Sequence, residues 1–225
     1  MIHQPGRLAY IDDNIRVLSP SAAGGGVPAW AVGGYAAYDF IGAASYAEAK
    51  LDLTGNLRHA TDGTAYPTWA NGVGCTFNGS TQYLVAPIIL QSAWSILVKY
   101  DVGANTGARS LWGANGNVGG RYYLLYPALS GALSNIYHGN TTSPSIAINT
   151  SGTYGIADRR VFLDGSYTTS LAAASASNTS TVIYIGAFNN NPTAIQFLAG
   201  VITSFIVYDE TRSDAQMLAT SAAMP

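Results

Sequence analysis

Apolar and polar residues alternate with a period of two along most of this chain. In the longest example, Trp94, Ile96, Val98 and Tyr100 alternate with Ser95, Leu97 and Lys99. Such alternation is typical of a strand that turns one face toward a core. Shorter runs recur at 35–40, 83–86, 122–126, 132–137, 160–163, 182–187 and 201–208. Because Gly, Asn, Asp and Pro separate these runs and helical spacing is almost absent, the sequence predicts an all-β, antiparallel two-sheet sandwich.

Two local signals predict how the chain turns and ends. Asp164-Gly165 lies between two strand-like runs. It predicts a type I′ hairpin, in which both central residues need positive φ. Ser213 and Gln216 have the spacing of a capping box, which predicts a short helix. We expect that helix to close one end of the sandwich.

The run 201–208 is apolar on both of its faces. Strict alternation predicts that Phe205 and Val207 lie on one face and that Ile202 and Ile206 lie on the other. A strand of this kind is expected in the centre of a sheet, or under an element that covers the outside of the sandwich.

The first thirty residues differ in character from the remainder. Met1–Pro20 has isolated apolar residues among charges, and the segment 21–28 is rich in Gly and Ala. We therefore divide the chain into an N-terminal arm, residues 1–30, and one sandwich domain, residues 31–225. The arm either makes assembly contacts, for example by adding a strand to a sheet edge, or is a frayed tail without a role.

Composition narrows the classes of partner. Charged residues form 10% of the 225 residues, against about 25% in ordinary soluble proteins. The chain has ten basic and twelve acidic residues and no basic cluster, which argues against nucleic acid as a partner. No stretch approaches the ~20 apolar residues of a membrane span, and the start has no secretory apolar region. We expect folding in a reducing cytoplasm, with the single cysteine, Cys75, as a buried thiol.

Four segments, taken in chain order, carry a resemblance to a known family. They are Leu51-Asp52-Leu53-Thr54-Gly55-Asn56, Thr76-Phe77-Asn78-Gly79-Ser80, Val161-Phe162-Leu163-Asp164-Gly165, and Phe205-Ile206-Val207-Tyr208-Asp209 followed by Arg212-Ser213-Asp214. Together they resemble the loops and turns of the concanavalin A-like, laminin-G-like jelly rolls. The resemblance implies a jelly-roll sandwich over roughly residues 31–220. Members of this family are lectins, glycosidases, adhesion modules and proteins of bacteriophage particles, and this chain resembles the phage-particle members most.

The sequence offers little for catalysis. A retaining glycosidase needs two carboxyl groups about 5 Å apart, and the two glutamates, Glu48 and Glu210, are far apart in sequence. No Gly-x-Ser-x-Gly motif and no cluster of zinc ligands is present. The sequence therefore predicts a protein without enzymatic activity. A glycoside hydrolase that uses atypical carboxylates, such as Asp101 or Asp158, stays as the least favoured alternative.

Sugar binding needs aromatic rings that stack on sugars and side chains that hydrogen-bond hydroxyl groups. The candidate ligand-binding residues are Arg109, Trp112, Arg121, Tyr137, His138, Asn189 and Asn190. The alternative for Trp112 and its neighbouring tyrosines is packing in the core or between subunits. No cofactor is expected, although the resemblance implies a structural calcium at Asp52, Asn56 and Asp209. The alternative is that Asp52 and Asn56 cap a tight turn.

Two functional hypotheses follow from these observations. The first is a non-enzymatic structural or display protein at the surface of a virus particle, such as a capsid decoration or tail-associated protein. Its partners would be other virion proteins and copies of itself. The second is a carbohydrate-binding, lectin-like module that recognises host surface polysaccharide. Neither hypothesis involves nucleic acid or a membrane.

Overall fold

The computed structural model describes residues 26–91, 93–103, 109–116, 122–126, 133–139, 141–142, 146–147, 150–171 and 179–225. For residue 122 and the strands between 133 and 147, the structure describes the backbone and its pairing. Residues 1–25 of the predicted arm lie outside the described ranges. The division into arm and domain at residue 30 stays a prediction.

Within these ranges nearly all of the regular structure is β. The strands are β1 (Ala36–Asp39), β2 (Thr61–Asp62), β3 (Thr68–Ala70), β4 (Gly74–Asn78), β5 (Leu84–Ala86), β6 (Ser95–Asp101), β7 (Trp112–Asn115), β8 (Tyr122–Tyr126), β9 (Leu133–Gly139), β10 (Thr141–Thr142), β11 (Ile146–Ala147), β12 (Ser151–Ala157), β13 (Arg160–Leu163), β14 (Ser166–Ser170), β15 (Ile183–Ile185), β16 (Phe188–Asn190), β17 (Thr193–Ile195) and β18 (Ala199–Tyr208). The helices are α1 (Tyr46–Ala49) and α2 (Asp214–Ala223), and a short 3-10 turn covers Ala29–Ala31.

The strands form two antiparallel sheets, which confirms the predicted sandwich. The first sheet has the order β14-β13-β12-β6-β18-β4-β3, and β1 pairs with the part of β18 that β4 leaves free. The second sheet has the order β10-β9-β8-β7-β15-β5-β2, with β11 beside β9. The hairpin β16–β17 forms a separate two-stranded sheet. The edge strands β2 and β3 follow one another in the chain, so the loop between them joins one sheet to the other.

The main core lies between the two sheets. Strand β6 contributes Ile96 and Val98 to it, while Leu97 belongs to a second apolar cluster. Trp94, immediately before β6, packs edge to face against Trp112 of the opposite sheet, with ring centroids 5.9 Å apart. Both faces of β6 are therefore buried. This explains why the segment alternates with a period of two and still has an apolar residue, Leu97, on the face away from the main core.

Strand β18 is central, as the run 201–208 predicts, but one of its residues faces the other way. Ile202 lies in the main core together with Phe205 and Val207, whereas Ile206 lies in the second cluster. The pairing with β6 shifts register between Ile202 and Ser204. The extra residue of this irregularity reverses the alternation, so the predicted placement of Ile202 opposite Phe205 is wrong.

Helix α2 begins with the predicted capping box. The Ser213 side chain accepts a hydrogen bond from the Gln216 backbone, and the Gln216 side chain accepts one from the Ser213 backbone. The prediction that this helix closes one end of the sandwich is wrong. It covers the outer face of the first sheet, where Met217 packs with Trp30 and Ile206. The apolar second face of β18 and β6 accounts for this placement, because those residues need a cover.

Two hairpins complete the fold. Asp164 and Gly165 both have positive φ, +49° and +74°, which confirms the predicted turn between β13 and β14. The hairpin β16–β17 covers the outer face of the second sheet, where Phe188 packs with Leu124 and Tyr126. Among the residues described, neither helix has the length and apolar character that crossing a bilayer requires.

Candidate functional site

The carboxylate of Asp52 caps the turn that follows α1. This side chain is fully buried. Its Oδ1 atom accepts hydrogen bonds from the backbone of Ala37 (3.1 Å) and from both the backbone and hydroxyl of Thr54 (3.0 and 2.8 Å). Its Oδ2 atom accepts one from the backbone of Arg58 at 3.1 Å. Four donors to one carboxylate stabilise the loop, because the carboxylate would otherwise be buried without a partner.

The other two predicted calcium ligands do not point at this carboxylate. The Asn56 amide donates to the carbonyl oxygens of Gly34 and Tyr35 at 3.3 and 3.1 Å, and Asp209 lies exposed just after β18. Within the described part of the chain, no three His, Cys, Asp or Glu side chains are grouped to hold a metal ion. The geometry favours the turn-capping alternative for Asp52 and Asn56. A structural calcium stays a prediction.

The predicted sugar-binding residues are dispersed. The Arg109 guanidinium donates to the carbonyl oxygens of Gly79 (2.6 Å) and Phe197 (3.1 Å), which clamps two loops together. Trp112 is 1% exposed in the main core, in line with the packing alternative. Arg121 lies outside the described residues.

The remaining candidates lie on the second sheet and its hairpin. In β9, Tyr137 pairs with Leu124 and His138 pairs with Tyr123. Asn189 is buried and donates its amide to the Val182 carbonyl at 2.9 Å. Asn190 is exposed on β16. Of the predicted sugar-binding side chains that the structure describes, Asn190 alone is exposed.

The carboxylates are engaged in local structure. Apart from the exposed Asp209, each Asp and Glu in the described ranges accepts a hydrogen bond or forms an ion pair within the protein. These residues are Asp39, Glu48, Asp52, Asp62, Asp101, Asp158, Asp164, Glu210 and Asp214. Asp101 pairs with Ser151 at one end of β12, and Asp158 follows its other end. About six residues of strand, roughly 20 Å, separate the two, well beyond the roughly 5 Å of a retaining glycosidase pair.

Cys75 is the buried thiol that the sequence predicts. It is fully buried on β4. Burial raises its pKa from 9.0 to about 12, with the nearby carboxylate of Asp62 acting in the same direction. The thiolate that a nucleophile requires is therefore disfavoured at neutral pH.

Exposed aromatic rings are rare in the described side chains. Tyr66 is 66% exposed and Tyr167 is 50% exposed, whereas all four tryptophans and all six phenylalanines are buried or half-buried. Sequence analysis did not single out Tyr66. The available signal was a lone aromatic in the polar, turn-rich segment 61–68, which has few apolar neighbours to bury it.

Four side chains form a surface cluster that we call the Tyr66 patch: Tyr46, Lys50, Asp62 and Tyr66. The Tyr46 and Tyr66 rings lie with centroids 6.1 Å apart at an angle of 45°. The Tyr46 hydroxyl donates to Asp62, which also forms an ion pair with Lys50 at 2.9 Å. Burial and the hydrogen bond to Asp62 raise the pKa of Tyr46 well above its ordinary value. Its hydroxyl therefore stays protonated and acts as a donor.

Comparisons with known proteins bear on the fold. No family model matches the chain, and no curated protein matches it in sequence. The fold is similar to that of a mutant of Trypanosoma rangeli sialidase that displays trans-sialidase activity, with a TM-score of 0.57 and 16% identity over 91% of this chain and 34% of that chain. The sialidase itself gives a TM-score of 0.53 and 14% identity over 85% of this chain and 32% of that chain. The chain thus spans about a third of the length of these sialidases.

A third similar structure is matched over nearly its full length. It is domain 4 of AbnA, a GH43 extracellular arabinanase from Geobacillus stearothermophilus, in complex with arabinotriose. The TM-score is 0.58, with 14% identity over 83% of this chain and 97% of that domain. At such identities the likeness concerns the fold, a β-sandwich. A phage-type family is not among these similarities, and that part of the predicted resemblance stays a prediction.

Proposed function

We propose that this chain is a carbohydrate-binding module that holds a glycan without cleaving it. The observation that carries the proposal is the Tyr66 patch, where an exposed ring packs against Tyr46, whose hydroxyl donates to the Lys50–Asp62 ion pair. A sugar presents a C–H face and a set of hydroxyl groups. Its recognition requires an apolar surface beside a few hydrogen-bonding groups.

The similar structures support this proposal. Domain 4 of AbnA is matched over 97% of its length and was solved in complex with arabinotriose. The sialidases are matched over a third of their length, so their catalytic activity is not carried over. This chain is thus similar in fold to a whole domain that was solved with a sugar bound. That similarity favours sugar binding over a display role alone.

The engagement of the carboxylates supports a role without catalysis. Hydrolysis by a retaining or inverting mechanism uses two carboxyl groups on either side of the glycosidic bond. The two atypical candidate acids lie at opposite ends of β12. Asp101 caps a turn, and Asp158 forms an ion pair with Arg159. The two carboxyl groups are too far apart to act on the same glycosidic bond.

The virion display hypothesis is compatible with sugar binding and remains a proposal. It places the protein on a particle surface with virion proteins and its own copies as partners. Its basis is the N-terminal arm predicted from the sequence, whose residues 1–25 are outside the described ranges. Loss of particle association after deletion of Met1–Pro28 would support it, and unchanged co-purification with particles would contradict it.

The proposed function is tested by native affinity electrophoresis of the full chain. Gels would contain arabinan, β-1,3-glucan, xylan, galactan or a sialylated glycoprotein, with bovine serum albumin as the non-binding control. We expect retardation in at least one polysaccharide gel and no release of reducing sugar during prolonged incubation. The proposal is wrong if an oligomeric sample migrates like the control in every gel. Sugar release above that of a blank would contradict the non-catalytic part.

A further inference from the structure

Building on the proposed carbohydrate-binding function, we infer that the Tyr66 patch is the ligand site and that its ligand is a neutral glycan. In this site the Tyr66 ring stacks on the sugar face, and Asp62 and Lys50 hydrogen-bond its hydroxyl groups. Tyr46 is a positioning residue, because it holds the Asp62 carboxylate and supports the exposed ring.

The backbone on either side of Tyr66 is fixed by tertiary contacts. Ala65 bridges to Gln82, and its carbonyl accepts a hydrogen bond from the Tyr83 backbone at 3.3 Å. Pro67 is buried directly after Tyr66, and a following proline restricts the preceding residue to extended conformations. A ring on such a backbone loses little conformational freedom on binding, which favours affinity.

The exposure of Tyr66 calls for an explanation, because the fold buries most of its other aromatic rings. Tyr66 lies in the loop between β2 and β3, where the chain passes from the edge of one sheet to the edge of the other. This position leaves it 66% exposed while Tyr46 contacts it from within. A ring that is held in place yet left in water has the geometry of a stacking surface.

The polar groups of the patch retain hydrogen-bonding capacity. One oxygen of Asp62 accepts from Tyr46 and the other accepts from Lys50. Each carboxylate oxygen has a further lone pair, and an ammonium group has three donors. The side chains of Lys50 and Asp62 are 20% and 37% exposed, which leaves both open to a ligand hydroxyl. A donor and an acceptor side by side match the mixed character of sugar hydroxyls.

The charge of the patch favours an uncharged ligand. Lys50 is balanced by Asp62 at 2.9 Å, and its ammonium also lies 4.3 Å from the centroid of the Tyr46 ring. An acidic sugar would bring a carboxylate toward Asp62 without an unpaired cation to receive it, and such like-charge contact is unfavourable.

Tyr167 provides a matched control elsewhere on the surface. It is also exposed, but its ring packs edge to face against Phe162 at 6.2 Å. Its hydroxyl pairs with Ser170 at 3.2 Å. Tyr167 therefore has comparable exposure beside a ring that has no hydroxyl group, whereas Tyr66 packs against Tyr46, which hydrogen-bonds to Asp62. The substitution Tyr167→Ala removes the same atoms as Tyr66→Ala from a surface that is not proposed to bind.

The experiment compares wild type, Tyr66→Ala, Tyr66→Phe, Asp62→Asn and Tyr167→Ala. Affinity electrophoresis would use neutral polysaccharides (arabinan, xylan and β-1,3-glucan) and acidic ones (polygalacturonate and sialylated mucin), with thermal midpoints recorded for every variant. We expect wild type to bind a neutral polymer and Tyr66→Ala to bind it at least about tenfold more weakly, as loss of a stacked ring predicts. Tyr66→Phe and Tyr167→Ala should stay within about twofold, and Asp62→Asn should lie between.

The possible outcomes distinguish an error in the assigned ligand site from an error in the proposed carbohydrate-binding function. Wild-type binding that Tyr66→Ala leaves unchanged, with an unchanged thermal midpoint, overturns the site and leaves carbohydrate binding intact. Binding to acidic polymers in preference to neutral ones overturns the neutral-ligand assignment. Absence of wild-type binding to every polymer overturns the proposed function and this inference with it. An equal loss in Tyr167→Ala assigns binding to a different surface and also overturns the site.

Discussion

Cys75 illustrates how position in the sandwich sets the chemistry of a single side chain. The thiol is fully buried on β4, and burial raises its pKa to about 12. In the unfolded chain the thiol has its ordinary pKa, so the unfolded state loses its proton first as the pH rises. The neutral thiol thus contributes to the stability of the fold fully below about pH 9, and this contribution disappears between about pH 9 and pH 12.

This pKa predicts slow alkylation and a specific loss of stability in alkali. At pH 9 we expect iodoacetamide to modify Cys75 roughly a thousandfold more slowly in the native protein than in concentrated urea, because the folded thiolate is scarce. The free energy of unfolding of wild type should fall more steeply between pH 8 and pH 11 than that of Cys75→Ala, measured by urea denaturation. Equal alkylation rates in the two states would show that the thiol is accessible.

The turn between β13 and β14 depends on the helix that packs over it. Gly165 has φ of +74°, and a Cβ atom there would lie 2.8 Å from both Leu218 Cα and Ser221 Cβ of α2. Gly72 has a similar φ of +72° with nothing within 4 Å of the corresponding position. The two glycines therefore separate backbone strain from collision with α2.

Alanine at these two glycines should have unequal effects. We expect Gly72→Ala to lower the free energy of unfolding by about 1 kcal/mol through positive φ alone. Gly165→Ala should cost about 1–3 kcal/mol more, because the helix backbone has to shift. Urea denaturation of both variants measures the difference. Equal losses would mean that α2 moves away from the hairpin without cost.

The whole molecule is held together by one core that both sheets share. Trp94 immediately precedes β6 of the first sheet, and its ring lies 5.9 Å from Trp112 and 6.0 Å from Tyr123 of the second sheet. These contacts join residues that are distant in the chain. Because neither sheet can bury its inner face alone, we expect the sandwich to unfold as one cooperative unit.

Truncation of Trp94 tests this cooperativity. We expect Trp94→Ala to lower the free energy of unfolding by about 3–5 kcal/mol, with near-ultraviolet and far-ultraviolet circular dichroism following a single transition. Ile89→Ala, at a side chain that is 43% exposed, should change it by less than about 0.5 kcal/mol. Two separate transitions in the Trp94 variant would contradict a shared core.

The local sequence determined much of the secondary structure of this protein. Alternation predicted β6 and β18, and Asp164-Gly165 and Ser213 with Gln216 predicted a turn and a helix start that the structure contains. These features depend on residues within a few positions of one another. Their conformational preferences act before any distant contact forms, so they are visible in the sequence.

Only the tertiary structure decided which faces meet and where a site lies. The irregularity in β18 that turns Ile202 to the core arises from pairing with β6, and α2 covers a sheet because that sheet has a second apolar face. The Tyr66 patch joins residues from α1 and its C-cap, from β2 and from the following loop, and its Tyr46–Asp62 hydrogen bond spans sixteen positions. Periodicity specifies that a side chain lies on a face but not what lies opposite, because that depends on how distant segments pack.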